Sequence, residues 1–230
     1  MSCSQQAKLN LWMDFLATNK VDENSVPLFA TESEVVATMT YGRNGRLVLM
    51  RSPEMDALMR RLGGQLIDEF HGDRVVHDGI LYLMFRRENG GVVPLYFGKA
   101  EIYGKGYGNL SANISDLATG EGKFGRWGYN YAYHIGDLSA ATLPGHPVEK
   151  KTRKYDAWRS SLFVGNSESV VLNGEVRFWA CLWGSDRQSI WREYGATRLA
   201  FEEYLLIGVA SDLFSNALLN REGRNKLELK

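Results

Sequence analysis

The chain has 230 residues, of which 44% are apolar, and it carries 27 Lys and Arg against 27 Asp and Glu. This length and composition predict a globular protein of one large domain or two small ones, with a sizeable core. Zero net charge counts against a uniformly basic nucleic-acid binder, although a local basic face would suffice for such binding.

Cysteines and apolar runs narrow the class of protein further. Cys3 and Cys181 are the only cysteines in the sequence, which argues against a disulfide framework and against a cysteine zinc site. No run of about 18 apolar residues is present, so we expect no membrane partner. The first ten residues, MSCSQQAKLN, lack the charged and then apolar order of a signal peptide. We therefore expect a cytoplasmic protein.

The first 75 residues predict a mainly helical extension. Apolar residues at helical spacing in residues 7–17 form one face, made of Leu9, Trp12, Met13 and Leu16. Residues 44–51 predict a short strand after an Asn-Gly turn. Ser52 and Pro53 are suited to the N-cap and the first position of a helix. That helix would bury Met55, Leu58, Met59, Leu62 and Leu66.

A β-hairpin is predicted next. Residues 79–87 (GILYLMFRR) and 92–98 (VVPLYFG) are rich in strand formers, and Glu88-Asn89-Gly90-Gly91 has the chemistry of a tight turn between them. Pro94 has no N–H to donate, so it belongs at a sheet edge or a bulge. Each strand carries one tyrosine, Tyr82 or Tyr96.

The rest of the chain predicts an irregular stretch followed by a strand and a helix. The predicted elements are a glycine-rich loop at 101–109, a helix at 110–118, strand and turn leading to a helix at 124–143, a basic loop running into a short helix at 144–158, a strand at 175–183 and a helix at 197–210. In that last helix Ala200, Tyr204, Leu206 and Ile207 would face the core.

This order of elements predicts an α+β fold. It would contain a small, mainly antiparallel three-stranded sheet flanked by helices. The N-terminal helical extension would cover residues 1–75, and the main domain would cover residues 76–230 with an insert at 120–170.

Two adjacent acidic residues interrupt the apolar helix at 197–210. Glu202 and Glu203 point about 100° apart, so one of them must lean toward apolar neighbours. A carboxylate in such a place needs a hydrogen-bond donor or a cation, and Mg²⁺ suits a site of one or two carboxylates and several waters. Two solvated glutamates at a helix edge are the alternative.

Four further side chains are candidates for proton transfer or phosphate binding. Tyr82 and Tyr96 could orient or deprotonate a water molecule near a cation, although tyrosine is also common in sheet cores. A histidine ordinarily titrates near neutral pH, which makes His134 a candidate, and Arg126 could hold a phosphate. A structural role for the histidine is the alternative.

Basic residues cluster in two loops. Lys150, Lys151, Arg153 and Lys154 could neutralise phosphates, while Tyr155 and Trp158 could stack on bases. The turn GKGYG at 104–108, which contains Lys105, could direct backbone amides at a phosphate. Ordinary solvated loops are the alternative in both cases.

Taken in order, these motifs resemble those of the GIY-YIG nuclease superfamily. Its two hairpin motifs correspond to Gly79-Ile80-Leu81-Tyr82 and Tyr96-Phe97-Gly98, and LYFGKA at 95–100 with NLSANI at 109–114 is similar to a series in its excision-repair branch. Its metal-binding motif E-x-x-L-I matches Glu203-Tyr204-Leu205-Leu206-Ile207. The resemblance covers residues 78–221 and ends near Asn220, which matches the closing asparagine of the family.

The sequence departs from the family pattern at three positions. Leu81 stands where tyrosine is usual, so Tyr82 needs a bulge or a shifted register to take the role. Asn113 stands where the family has an arginine, and Leu117 stands where it has a histidine or tyrosine. Either Arg126 and His134 supply these groups from the insert, or catalysis has been lost.

The resemblance implies a role for each site residue. Glu203 would bind one Mg²⁺ or Mn²⁺ ion that acts as a Lewis acid, and Tyr82 or Tyr96 would position the attacking water. Stabilisation of the phosphate or protonation of the leaving group would come from Lys99, Arg126 and His134. DNA binding would come from Lys105, Asn113, Lys150, Lys151, Arg153 and Lys154. Gly98 would allow a close approach of the chain, and Asn220 would support the site.

We therefore expect a metal-dependent DNA endonuclease, acting alone as a restriction or defence enzyme and without an organic cofactor. A homodimer would match a two-fold target. The alternative is a catalytically inactive module of the same fold that binds nucleic acid or a protein partner.

Overall fold

The structure is a computed structural model, and it describes residues 2–72, 74–106, 108–165 and 169–225. In chain order its elements are α1 Cys3–Thr18, β1 Val26–Pro27, β2 Thr31–Glu32, β3 Val35–Val36, β4 Thr38–Tyr41, β5 Arg46–Leu49, α2 Pro53–His71, β6 His77–Glu88, β7 Gly91–Glu101, α3 Ala112–Ser115, α4 His134–Thr142, α5 Arg153–Leu162, β8 Val176–Gly184 and α6 Leu199–Leu213. Single 3₁₀ turns lie at Phe124–Arg126, Val148–Lys150 and Arg192–Tyr194.

The fold is α+β, with a mainly antiparallel sheet flanked by helices, as the sequence predicts. The main sheet has four strands in the order β1-β8-β6-β7. The expected number of three was therefore wrong. The additional strand is β1, where Val26 and Pro27 pair with Phe178 and Arg177 of β8. A strand of two residues is too short to show alternation, so the sequence does not reveal it.

The central hairpin of β6 and β7 agrees with its prediction. Asn89 and Gly90 adopt positive φ angles of 51° and 77°, the conformation that a tight two-residue hairpin turn requires. The register of β6 against β7 shifts between Met84 and Phe85, and Phe85 pairs with Pro94. Pro94 therefore lies beside a bulge on an edge strand, where its missing N–H is tolerated.

The sheet buries a different apolar cluster on each face. Ile80, Tyr82 and Met84 belong to one cluster together with residues of α2, α4 and α5. Leu81, Leu83 and Phe85 belong to the other, together with residues of α1 and α6. The regular alternation of β6 thus sends Tyr82 to one face and its neighbours Leu81 and Leu83 to the other.

The first 72 residues contribute to both clusters. Trp12 and Phe15 of α1 pack in the cluster with α6, while Met55 and Leu66 of α2 pack in the opposite cluster. The predicted helix at Ser52 and Pro53 is confirmed, because the Ser52 hydroxyl accepts a hydrogen bond from the N–H of Met55. The proposed boundary at residue 75 stays a prediction.

Several details of the predicted helices were wrong. In α1 Met13 is exposed and Phe15 is buried instead. The predicted helix at 110–118 is reduced to the single turn Ala112–Ser115. The described residues of 124–143 contain a 3₁₀ turn and α4 but no strand. In α6 the side chain of Tyr204 is exposed, whereas Glu202 is fully buried.

None of the helices in the described part of the chain is long and apolar enough to cross a membrane.

Candidate active site

A groove of about 490 Å³ opens beside the edge strand β7, between α6 and the segments at 103–105, 111–113 and 126–154. It brings together residues from distant parts of the sequence. The predicted site residues that line it are Tyr82, Tyr96, Lys99, Lys105, Asn113, Arg126, His134, Lys154 and Glu203. A cavity of about 290 Å³ shares Tyr96, Lys154 and Glu203 with the groove and extends it toward Asn220 and Arg221.

Three predicted DNA-binding residues are not among those that line the groove. Lys151 is exposed just before α5, and Arg153 is exposed at the first position of that helix. The Lys150 ammonium lies 5.2 Å from the centre of the Tyr131 ring. Of the basic segment, Lys154 alone lines the groove.

Tyr82 and Gly98 form a directly opposed pair across the hairpin. A Cβ atom added to Gly98 would lie 2.5 Å from Cε2, Cζ and Oη of Tyr82. Gly98 therefore allows the tyrosine ring to lie flat across the neighbouring strand, which any larger residue would prevent. The sequence predicts that the chain approaches another group closely at Gly98, and in the structure that group is the Tyr82 ring.

The Tyr82 side chain reaches the groove by ordinary strand alternation. Tyr82 and Met84 share a face of β6, and Met84 pairs with Tyr96 across the hairpin, so both tyrosines line the groove. The pairing of β6 with β8 shifts register between His77 and Gly79. From Gly79 to Met84 the pairing of β6 is regular on both sides, so no bulge or shift separates Leu81 from Tyr82.

A chain of three buried side chains runs from Tyr82 through His134 to Tyr155. The Tyr82 hydroxyl lies 3.2 Å from Nε2 of His134, and the Tyr155 hydroxyl lies 2.9 Å from Nδ1. Burial lowers the pKa of His134 well below its usual value, and the charges of Lys154 and Arg126 lower it further. The imidazole is therefore neutral near pH 7, so it donates to one phenol and accepts from the other.

Burial also determines the protonation of the two phenols. It raises the pKa of Tyr82 well above the usual value for tyrosine, and the neighbouring Tyr96 and Glu203 raise it further. The pKa of Tyr155 is raised for the same first reason. Both phenols are therefore protonated near neutral pH.

Two tryptophans hold His134 in place. The His134 ring stacks on Trp158 with 5.1 Å between ring centres, and it lies 4.8 Å from the ring of Trp127. Trp158 and Trp127 are fully buried, and Tyr155 is almost so. The prediction that Tyr155 and Trp158 stack on bases was therefore wrong, because these rings form the apolar wall behind the groove.

Lys154 lies among aromatic rings at the groove surface. Its ammonium is 4.8 Å from the centre of the Tyr96 ring and 3.4 Å from the Tyr96 hydroxyl oxygen, to which it donates. Burial, together with the charge of Arg126, lowers the pKa of Lys154 to about 8. The pKa of Tyr96 is raised to about 12, first by burial and then by the charge of Glu203.

Arg126 reaches the groove from a strained turn. Phe124, Gly125 and Arg126 have positive φ angles of 32°, 56° and 79°, and such a conformation costs about 1–3 kcal/mol for each residue other than glycine. Phe124 and Trp127 on either side are fully buried. The turn is therefore held by these two anchors and presents an exposed guanidinium to the groove.

Glu203 is the half-buried acid of the site. Burial raises its pKa to about 7, Lys99 opposes the shift, and Glu101 and Glu222 reinforce it. The carboxylates of Glu101, Glu203 and Glu222 repel one another. A cation bound among them would relieve that repulsion. Lys99 also forms an ion pair of 2.6 Å with Glu101.

The residues around Glu203 fit a magnesium or manganese ion. Within residues 2–72, 74–106, 108–165 and 169–225, no group of three or more His, Cys, Asp or Glu side chains could enclose a metal. An ion at Glu203 would therefore be held by one or two carboxylates and by water, which is a common arrangement for Mg²⁺.

Glu202 has a different role from its neighbour, which the helical pattern alone does not reveal. Its carboxylate accepts hydrogen bonds from the hydroxyls of Ser189 and Thr197, each at 2.7 Å, and from the N–H of Ile190 at 2.8 Å. Glu202 is the buried acid of the pair. Hydrogen-bond donors, rather than a cation, surround its carboxylate. It fixes the segment before α6 onto that helix.

Two asparagines complete the site. The Asn220 amide donates to the Phe97 carbonyl and accepts from the Phe97 N–H, both at 2.9 Å, so it closes the free edge of β7 beside Gly98. The side-chain oxygen of Asn113 is buried and has no hydrogen-bond donor among the described residues. Asn113 lines the groove, and its amide can still donate to a bound group.

Comparisons with known proteins give no match: no family model fits the chain, and no curated protein or solved structure is significantly similar to it. The resemblance to the GIY-YIG superfamily therefore remains a prediction from the motifs.

Proposed function

We propose that the protein is a metal-dependent DNA endonuclease of the GIY-YIG type. The observation that carries this proposal is the convergence in one groove of Tyr82, His134 and Glu203, which lie on β6, α4 and α6. A phosphodiesterase needs a group that accepts a proton, a site for a cation and positive charge around the phosphate.

The cations of the groove supply the binding site for a phosphate. Lys99, Arg126 and Lys154 line the same space as the two tyrosines. Such groups lower the energy of a transition state in which negative charge develops on the phosphate oxygens. Arg126 and His134 come from the segment that the sequence marks as an insert, and they would replace the family groups that Asn113 and Leu117 do not provide.

Tyr82 is suited to transfer a proton without becoming a free phenolate. Its raised pKa disfavours ionisation at rest, but its hydroxyl contacts a neutral imidazole. As the phenol oxygen takes a proton from the attacking water, its own proton can pass to Nε2 of His134. Tyr155 on the other ring nitrogen keeps the imidazole oriented.

Glu203 would hold the metal ion, which supplies Lewis acidity for the phosphate when it is bound. Lys154 donates to the oxygen of Tyr96, so the Tyr96 proton is free to donate to a phosphate oxygen. The amide of Asn113, which also lines the groove, can do the same.

The alternative is a module of this fold that binds nucleic acid or a protein without cutting it. Asn113 and Leu117 motivate that alternative, since they stand where the family has reactive groups. The shared groove position of Arg126 and His134 favours the enzyme instead. A dimer that acts as a restriction or defence enzyme on a two-fold target remains part of the proposal.

The test is incubation of mixed plasmid and phage DNA, and of RNA, with Mg²⁺ or Mn²⁺ and either the natural protein or Glu203→Ala. Discrete fragments that the variant does not produce would support a sequence-specific nuclease, and a smear that it does not produce would support a nonspecific one. An absence of cleavage on every substrate would favour the binding module.

A further inference from the structure

Four aromatic side chains are exposed on α6 and on the segment that precedes it. Trp191, Tyr194, Phe201 and Tyr204 have exposed fractions of 48%, 56%, 41% and 51%. The rings of Tyr194 and Phe201 lie 4.9 Å apart, and those of Trp191 and Tyr194 lie 6.0 Å apart. Together these rings form an aromatic rim, made of residues 191, 194, 201 and 204.

Hydrogen bonds to the buried Glu202 hold the backbone that carries part of the aromatic rim. The buried Glu202 carboxylate binds Ser189, Ile190 and Thr197, which bracket the segment that carries Trp191 and Tyr194. The 3₁₀ turn Arg192–Tyr194 ends at Gly195, whose φ of 80° suits glycine. The exposed rings therefore lie on a pinned backbone, so little conformational entropy is lost when they bind a ligand.

The rim is continuous with the groove. Tyr204 lines the groove itself, and Phe201 is next to Tyr204 on the surface of α6, since residues three apart are neighbours on a helix. Two exposed arginines lie on the same part of the chain, and both face carboxylates. Arg198 is 2.9 Å from Asp78, and Arg192 is 3.6 Å from Asp14.

We propose that this rim stacks unpaired nucleobases of the strand whose phosphates occupy the groove, so that the substrate class is DNA with single-stranded or unpaired segments. This inference rests on the proposed nuclease function. Exposed aromatic faces can stack on bases, and Lys99, Arg126 and Lys154 in the adjoining groove can bind the phosphates that join those bases.

The area of the rim favours bases over a second copy of the chain. At about half exposure, four aromatic rings offer roughly 400 Å². A stable protein interface buries about 800 Å² on each partner. Two or three stacked bases require far less surface than a protein partner.

Binding to strands with and without bases tests the inference. Glu203→Gln protein, in which cleavage is blocked, is titrated with a single-stranded oligonucleotide, with a strand of equal length made of abasic sites, and with a duplex. All three carry phosphates, but only the first exposes bases. We expect the base-bearing strand to bind at least about tenfold more tightly than the abasic strand. Phe201→Ala and Tyr194→Ala should reduce that ratio several-fold.

Leu47→Ala is the matched control, because Leu47 is also an exposed apolar residue but lies on β5. It should leave the ratio unchanged. Equal affinity for the base-bearing and abasic strands, or preference for the duplex, would overturn the inference while leaving the nuclease proposal intact. A protein that binds no nucleic acid at all would overturn both.

A second copy of the chain is the other possible occupant of the rim, and the oligomeric state tests for it. Sedimentation of Phe201→Ala and of the natural protein should give the same mass. A dimer that dissociates in Phe201→Ala, without a change in the binding ratio, would make the rim a protein interface and overturn the inference.

Discussion

The ring of Tyr82 occupies the space that a side chain on Gly98 would need. The two residues are paired across β6 and β7, and the Tyr82 hydroxyl continues from there to His134. The position of the tyrosine thus depends on the glycine opposite it, and the proposed proton path depends on both.

Gly98→Ala should displace the Tyr82 ring. We expect the free energy of unfolding to fall by about 1–3 kcal/mol, as for other overpacked cores, and cleavage to be lost. Chemical denaturation and a cleavage assay measure the two effects. Gly91→Ala is a suitable control, since a Cβ there would meet its nearest atom at an ordinary 3.5 Å.

The same substitution in a Tyr82→Ala background isolates the contact. With the ring removed, Gly98→Ala should be neutral or stabilise the strand by up to about 1 kcal/mol, because alanine loses less entropy than glycine. An undiminished loss of stability in that background would show that the ring is not the cause.

The neighbours Glu202 and Glu203 should respond in opposite ways to removal. Glu202→Ala leaves three buried donors without their acceptor, and we expect a loss of about 3 kcal/mol in the free energy of unfolding. Glu203→Ala removes a half-buried carboxylate next to other acids, so it should not lower stability but should abolish cleavage. Glu202→Gln keeps one acceptor and should lose less than Glu202→Ala. Equal stability of the two alanine variants would contradict this division of roles.

DNA binding should weaken as the pH rises above about 8. Lys154 has a pKa lowered to about 8 by burial, so its ammonium is charged below that pH and loses its proton above it. A bound phosphate favours the charged form, so affinity should fall from about pH 8 upward. Affinity measured at constant ionic strength from pH 6.5 to 9.5 should show this decline, and Lys154→Met should bind more weakly with a flatter profile. A variant that retains the full decline would exclude Lys154 as its source.

Acid should destabilise the protein through His134. The pKa of the buried imidazole is lowered in the folded chain, whereas the unfolded chain binds a proton near pH 6.5. As the pH falls below about 6.5, the unfolded state therefore gains a proton that the folded state does not, and stability is lost. The free energy of unfolding of His134→Gln should fall less steeply between pH 6.5 and 5. Parallel profiles for the two proteins would show that His134 is not the sensitive group.

Local signals made the hairpin and the helix α2 predictable from the sequence. The Asn89-Gly90 turn and Pro94 fix the hairpin within a few residues, and Ser52 with Pro53 fixes the start of α2. These signals act over neighbouring residues, so no tertiary information is needed to interpret them.

Partners that meet only through tertiary packing could not be predicted. Tyr155 was interpreted as a stacking residue because it stands in a basic segment, but its hydroxyl binds His134 in the core. The helical pattern of α6 does not show which of Glu202 and Glu203 is buried, because both of its flanks are covered by other segments. Tyr82 and Tyr96 could be placed near Glu203 only through the motif resemblance.

The most direct test of the proposed activity is the Mg²⁺ dependence of DNA cleavage by the natural protein and by Glu203→Gln, with DNA affinity measured on the same preparations. We predict that cleavage by the natural protein rises with Mg²⁺ to a plateau. The variant should bind DNA with an affinity close to that of the natural protein but should lose cleavage at every Mg²⁺ concentration. Cleavage that persists in Glu203→Gln, or bound DNA that the natural protein never cuts with Mg²⁺ or Mn²⁺, would contradict the assignment of this groove as a nuclease site.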